Sequence, residues 1–187
     1  MKAAHPSLKG KMRKSLGSYI VELPLALWIL MVCVAFPLIM LATITLRTTF
    51  LDAVAKDAAH AAAKAYTFEA PGEDGKPSAI QLAETAASET ASKFSGITVT
   101  SIVTKIAIKD SSNPSSTVEV RTTKLGESDI IDTSKYVYSA QVEVSGEVQP
   151  LLTYNLPVLG DVPGLTKPLT LTKVGLEMFE NAQGLRQ

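Results

Sequence analysis

From Leu23 to Leu46 the chain runs for 24 residues without a formal charge, rich in Leu, Ile, Val, Met and Ala. At about 1.5 Å per residue, a helix of that length covers the roughly 30 Å hydrocarbon core of a bilayer. No other stretch of the sequence approaches it, so the expected plan is one membrane span and one domain outside the lipid. A cleaved secretory signal would have an apolar region of only about 7–15 residues, closed by an A-x-A-like site. This run is longer, and no such site follows it closely. A lipoprotein signal through Cys33 fails because Val32 stands where a small residue is needed. Pro24 is expected in the first turn of the span, where its missing N–H costs little, and Pro37 is expected to kink the middle.

Charge sets the orientation. Overall the 187 residues balance 18 basic against 18 acidic side chains. Residues 1–17, however, hold Lys2, Lys9, Lys11, Arg13 and Lys14 and no acid, which leaves a net of −5 on the remainder. A basic flank before a span stays in the cytoplasm, so the rest of the chain is expected to be exported. An acidic body argues against nucleic-acid binding, which needs a basic patch on the folded part. The single cysteine, Cys33, excludes an intramolecular disulfide, so the domain must be held by its core.

In front of the span stands Gly17-Ser18-Tyr19-Ile20-Val21-Glu22. A glycine after a basic stretch, a glutamate five residues on, and then a long apolar helix resembles the type IV prepilin signal. The residues that follow, Leu23-Pro24-Leu25-Ala26-Leu27, a span containing a proline and the Ala-rich Asp52–Ala65, narrow the likeness. Over residues 13–66 the chain resembles TadE-like pseudopilins of tight-adherence (Flp) pili, and over the remainder only in outline. That resemblance implies cutting by a prepilin peptidase after Gly17, with Ser18 as the new N-terminus. Glu22 would then pair with the α-amine of a neighbouring subunit during assembly. It further implies other pilin-like subunits, the pilus assembly machinery and membrane lipid as partners, and a bacterial inner membrane with the head periplasmic or extracellular. The residues themselves are compatible with this: glycine lets an extended backbone enter a protease cleft, and a carboxylate at the edge of lipid tends to be paired or functional. A charge at that edge could equally snorkel, with Gly17 an ordinary flexible residue and the chain an uncleaved signal-anchored envelope protein with a binding head.

Beyond the span, 8 of the 13 residues from Ala53 to Ala65 are alanine, the best helix former. Leu51, Val54, Ala55, Ala58, Ala62 and Ala65 share one face, while Asp52, Lys56, His60 and Lys64 follow at i, i+4 on another. The helix is therefore expected to continue to about Tyr66, its small-residue face packing either on its own domain or on a neighbouring subunit. Residues 69–77 read as a turn. Ser78 and Gln81 form a capping box that opens a second helix, expected to reach about Ser95 with Ile80, Ala83, Ala87, Ala91 and Phe94 on its apolar face. Four strands follow: Ile97–Ile108 with a bulge near Ser101, Thr117–Thr123, Tyr136–Val148 and Leu169–Met178. In the third, Tyr138, Ala140, Val142 and Val144 should face the core. A proline-punctuated connection through Pro150, Pro157, Pro163 and Pro168 precedes the last strand. The expected fold class is α+β: a leader (1–17), a transmembrane and juxtamembrane helix (18–66), and a head (67–187) of one helix and an antiparallel sheet of about four strands, as in pilins.

No catalytic constellation is legible. His5 lies in the leader and His60 on a charged helix face, and no zinc-ligand spacing occurs. Gly72-Glu-Asp-Gly-Lys76 lacks the full phosphate-loop spacing, and Glu84 and Glu89 read as solvated surface. No catalytic, cofactor-binding or metal-binding residue is expected.

Overall fold

The structure is a computed structural model; it describes residues 16–72, 75–113, 115–126, 129, 131–151, 162–164 and 166–186. The basic residues of the leader from Lys2 to Lys14 and Pro157 of the connection lie outside the described residues. The chain divides into two compact units, Met1–Leu41 and Ala42–Gln187.

In the first unit, helix α1 covers Leu16–Leu30, followed by a π-helical turn at Met31–Ala35, and α2 (Phe36–Ala63) begins at its end. The backbone is thus helical well before the apolar run, which places Pro24 inside α1 rather than in its first turn. It can offer no N–H to the Ile20 carbonyl there. Proline 37 does not end the helix. It stands just beyond the π turn, where the Phe36 N–H donates to Met31 O, five residues back. A proline removes one i→i−4 donor and crowds the carbonyl four residues earlier, here Cys33, which lies within the wide turn. Local π geometry is a known way for a helix to absorb both. Glu22–Ala63 is one helix run of 42 residues, long and apolar enough to cross a membrane.

The second unit is built on the alanine-rich half of α2. Leu51, Val54, Ala55, Ala58, Ala59, Ala62 and Ala63 are all buried, while Lys56, His60 and Lys64 are exposed. Lys56 and Asp52 form the expected i, i+4 ion pair at 2.8 Å. The helix ends at Ala63, three residues earlier than expected, in a tightened turn where the Lys64 and Ala65 N–H groups donate to the carbonyls of Ala61 and Ala62. Ala65 and Phe68 beyond the turn are buried as well, so the apolar pattern runs past the helix end into an irregular segment.

Helix α3 (Ala79–Ser92) opens on the expected capping box: Ser78 Oγ accepts from the Gln81 N–H, and Gln81 Oε1 accepts from the Ser78 N–H. It stops at Ser92, before the predicted end, because residues 93–96 form turns that lead to Gly96 at φ +78°. Its most buried line is Ala79, Ala83, Ala87 and Thr90, with Ile80, Leu82, Ala91 and Phe94 half-buried on either side. Phe94 stacks on Phe50 of α2, ring centroids 4.2 Å apart.

Four strands form one antiparallel sheet in the order β2-β1-β3-β4: β1 Ile97–Asp110, β2 Glu119–Arg121, β3 Tyr136–Val148 and β4 Leu169–Met178. The predicted bulge lies between Val99 and Ser101. On β3, Tyr138, Ala140, Val142, Val144 and Val148 are buried against the helices. The second strand is the exception. Only three residues pair, opposite Ile106–Ile108, and Val118 and Val120 are exposed. Alternation there was legible, but at a sheet edge period two separates two faces without saying which is covered.

Two glycines let α2 settle on this sheet. A Cβ on Gly175 of β4 would overlap the carbonyl of Ala55 and lie 3.0 Å from the Ala59 Cβ; a Cβ on Gly146 of β3 would lie 3.1 Å from the Leu51 side chain. Gly175→Ala is therefore expected to destabilise the head by about 2–3 kcal/mol, the cost of forcing backbone apart in a packed core. Thr170→Ala on the exposed part of the same strand should stay within about 0.5 kcal/mol. Urea unfolding of both variants in detergent, followed by circular dichroism, reads the difference.

Candidate functional site

The residues singled out before the span fall on α1. Gly17 and Ser18 lie in its first turn, and Glu22, two turns in, has an exposed side chain. As folded, the Gly17–Ser18 peptide is helical, and a protease that reads an extended strand must first unwind that end. A helix terminus frays easily, since its first four N–H groups have no intrahelical acceptor. Cys33 is an exposed free thiol on the same helical run.

Among the described residues of the head, polar side chains gather at two concave places that the sequence did not reveal. The first centres on Arg121 of β2. Its Nε donates to Glu119 Oε1 at 2.6 Å and its Nη1 to Asp129 Oδ2 at 2.8 Å. Tyr136, Tyr138, Leu125 and Ile108 complete the cleft. Asp129 is held below the usual carboxylate range, first by the Gly126 N–H that donates to it at 2.9 Å, then by Arg121 and Arg186. The Glu119 carboxylate raises Arg121 in turn. Arg186 donates to the Asp129 carbonyl, and the Leu125 N–H donates to Leu185 O at 2.8 Å. A guanidinium satisfied by two carboxylates presents little net charge to an incoming anion. What this cluster does is tie Leu125, Gly126, Asp129 and the turn Ala182–Arg186 to the edge strand.

The second lies between α2 and α3, with Ala61, Leu82 and Ala86 as an apolar floor and Asp57, His60, Lys64 and Glu89 around it. Thr90 Oγ1 donates to Asp57 Oδ2 at 3.1 Å across the helix pair. Among the described residues no group of three or more His, Cys, Asp or Glu comes together in a way that could hold a metal ion. Glu84 is exposed on α3.

No known protein family, curated protein or solved structure matches this chain.

The Arg121 cluster could not have been read from spacing. Its members come from residues 108–138, with Arg186 far along the chain, and only Glu119 and Arg121 sit at a suggestive i, i+2 separation. Lys105 and Glu143, 2.6 Å apart across β1 and β3, were equally illegible until the register was known.

Three carboxylates, one at the end of β1 and two in loops, share one behaviour. Asp110 and Asp132 each accept from the side chain and backbone N–H of the serine two residues on, Ser112 and Ser134, and both are lowered by those bonds; Asp129 is lowered as described. Because the folded state holds these carboxyls below their unfolded pKa, their contribution is complete at neutral pH and is lost as pH falls through about 4 and below. The thermal midpoint of the head should drop over that range. Asp129→Asn should flatten the pH slope while lowering the midpoint at pH 7, both read by differential scanning calorimetry of the full chain in detergent.

Proposed function

We propose that this chain is a non-enzymic, pseudopilin-like subunit: a single-pass inner-membrane protein cut after Gly17 and assembled with other pilin-like subunits through its N-terminal helix. The observation that carries the reading is the order basic leader, Gly17, Glu22, single apolar helix. That order matches the TadE-like prepilin signal, and the helix run Glu22–Ala63 behind it is long enough to span lipid and still supply a head with a packed face. The α+β head with one helix and a four-stranded antiparallel sheet suits the same body plan. In this role the basic leader remains cytoplasmic, the head is exported, and prepilin peptidase, pilus assembly machinery and lipid are the partners. Glu22, an acid at the start of the apolar run, neutralises the α-amine of a neighbouring subunit.

One observation favours a second reading. Gly17 and Ser18 are helical and continuous with the span, as they would be in an uncut signal anchor carrying a binding head.

The mature N-terminus separates the two. In cells with a working prepilin peptidase, sequencing should find Ser18 first; an intact leader on the membrane-inserted protein overturns the processing role. Gly17→Val is expected to block cutting and leave membrane insertion unchanged. Glu22→Ala should be cut normally yet co-purify with pilin-like subunits at least several-fold less well, and undiminished co-purification would remove the pairing assigned to Glu22.

A further inference from the structure

Contacts along α2 give the height of each part of the head. Going up the helix, Ile44 meets Gly164, Arg47 meets Gly96 and the Gln149 carbonyl, and Leu51 meets Gly146. Higher still, Ala55 meets Gly175, and the Ala63 carbonyl receives the Glu180 N–H. The lowest of these contacts belongs to the turn at residues 162–168, just ahead of β4. Ile44 itself lies two residues inside the end of the charge-free run at Leu46. The 24 residues of that run extend about 36 Å as helix against a hydrocarbon core of roughly 30 Å, so about 3 Å projects at each end when the run is centred. Two residues rise about 3 Å, which sets the Ile44 Cα at the edge of the hydrocarbon. Its side chain leans toward the helix N-terminus, which is further in. A Cβ on Gly164 would stand 3.0 Å from Ile44 Cδ1, so the turn reaches the same depth.

The chemistry of the turn suits that depth. Irregular backbone that leaves water needs internal partners for its polar groups. Among the described residues of the turn, every N–H has one. The Gly164 N–H donates to Lys167 O at 2.7 Å, and the Thr166 and Lys167 N–H groups donate to Val162 O at 2.9 and 3.4 Å. The Val162 N–H donates to Thr166 Oγ1 at 2.8 Å. Pro163 and Pro168 have no N–H to satisfy. The polar Thr166 is buried, whereas the apolar Val162 is 39% exposed and Pro163 is exposed beside it. Leu151, two residues past Gln149 and so at the same end of the head, is 49% exposed. We infer that this end of the head lies within the lipid headgroup layer, with Val162, Pro163 and Leu151 meeting the acyl boundary of the leaflet from which α2 emerges. Lys167, exposed on the same turn, lays its stem along that boundary and carries its ammonium to the lipid phosphates. The head is then held to the membrane at two places, the spanning helix and the turn. The inference rests on the membrane span and is independent of cutting after Gly17 and of Glu22.

The test uses the full chain with Cys33→Ser, reconstituted into vesicles of phosphatidylcholine and phosphatidylglycerol. A nitrobenzoxadiazole fluorophore is attached to a single new cysteine, with Val162→Cys, Leu151→Cys, Lys109→Cys and Val34→Cys in separate samples. Lys109 is exposed near the far end of β1, and Val34 lies within the apolar run. Lipids carrying a nitroxide at a shallow acyl position should quench the labels at 162 and 151 severalfold more than the label at 109. Aqueous iodide should show the reverse order. A label at 162 as open to iodide as the one at 109, with the label at 34 shielded, overturns the inference and leaves the span standing. A label at 162 shielded from both quenchers reveals a protein cover in place of lipid and overturns it as well. A label at 34 that is open to iodide overturns the span itself, and the inference with it.

Discussion

The contact between α2 and the β4 strand at Gly175 sets the thickness of the head. An alanine face can pack tightly only if the opposing surface comes up to meet it, because a methyl group reaches barely beyond its own backbone. Gly175 and Gly146 supply that surface by removing side chains where the helix passes. Val54 and Leu51 then fill the remaining space, and Val142, Val144 and Val148 of β3 close it from the sheet side. With small residues on both surfaces, the head gains less from transfer of large side chains and more from dense, close backbone approach. α3 joins through a second alanine line, so both helices follow the same rule.

Periodicity made much of this fold legible. The capping box, the bulge near Ser101, the buried line of β3 and the buried face of α2 all follow from residue types repeating at 2 or 3.6, and each was found where the pattern put it. Boundaries were less legible. α2 stops at Ala63 although Ala65 and Phe68 continue the apolar sequence, because hydrophobic pattern reports burial, which an irregular segment also achieves. α1 begins before the charge-free run for the complementary reason: backbone helicity does not require an apolar side chain. The polarity of β2 was hidden because its exposed valines look the same as buried ones until its position at the edge is known. The Arg121 cluster was hidden because its partners meet only through tertiary structure.

The functional reading leans on short-range chemistry, and the structure adds a physical condition to it. Gly17 and Ser18 occupy the first turn of a helix, where unwinding sacrifices few hydrogen bonds. The π turn before Pro37 is a place where the helix departs from regular α geometry, and it lies in the first unit. It precedes the alanine face, so the part of the helix that carries the core of the head is regular α-helix.

The joining of α2 to β4 also has a temporal consequence. Ala55 and Ala59 emerge from the ribosome early, but the strand that covers them is not made until more than a hundred residues later, and the Glu180 N–H that donates to Ala63 O comes later still. Gly184, whose missing Cβ makes room for the Tyr66 carbonyl, and Leu185, whose carbonyl receives the Leu125 N–H, appear after that strand. A growing chain can form α2 and the β1–β3 ladder, but it cannot cover the Ala55–Ala59 part of the helix before β4 is made. Burial of α2 is therefore complete only once β4 and the residues after it have been made, and until then the nascent protein carries a partly uncovered apolar helix.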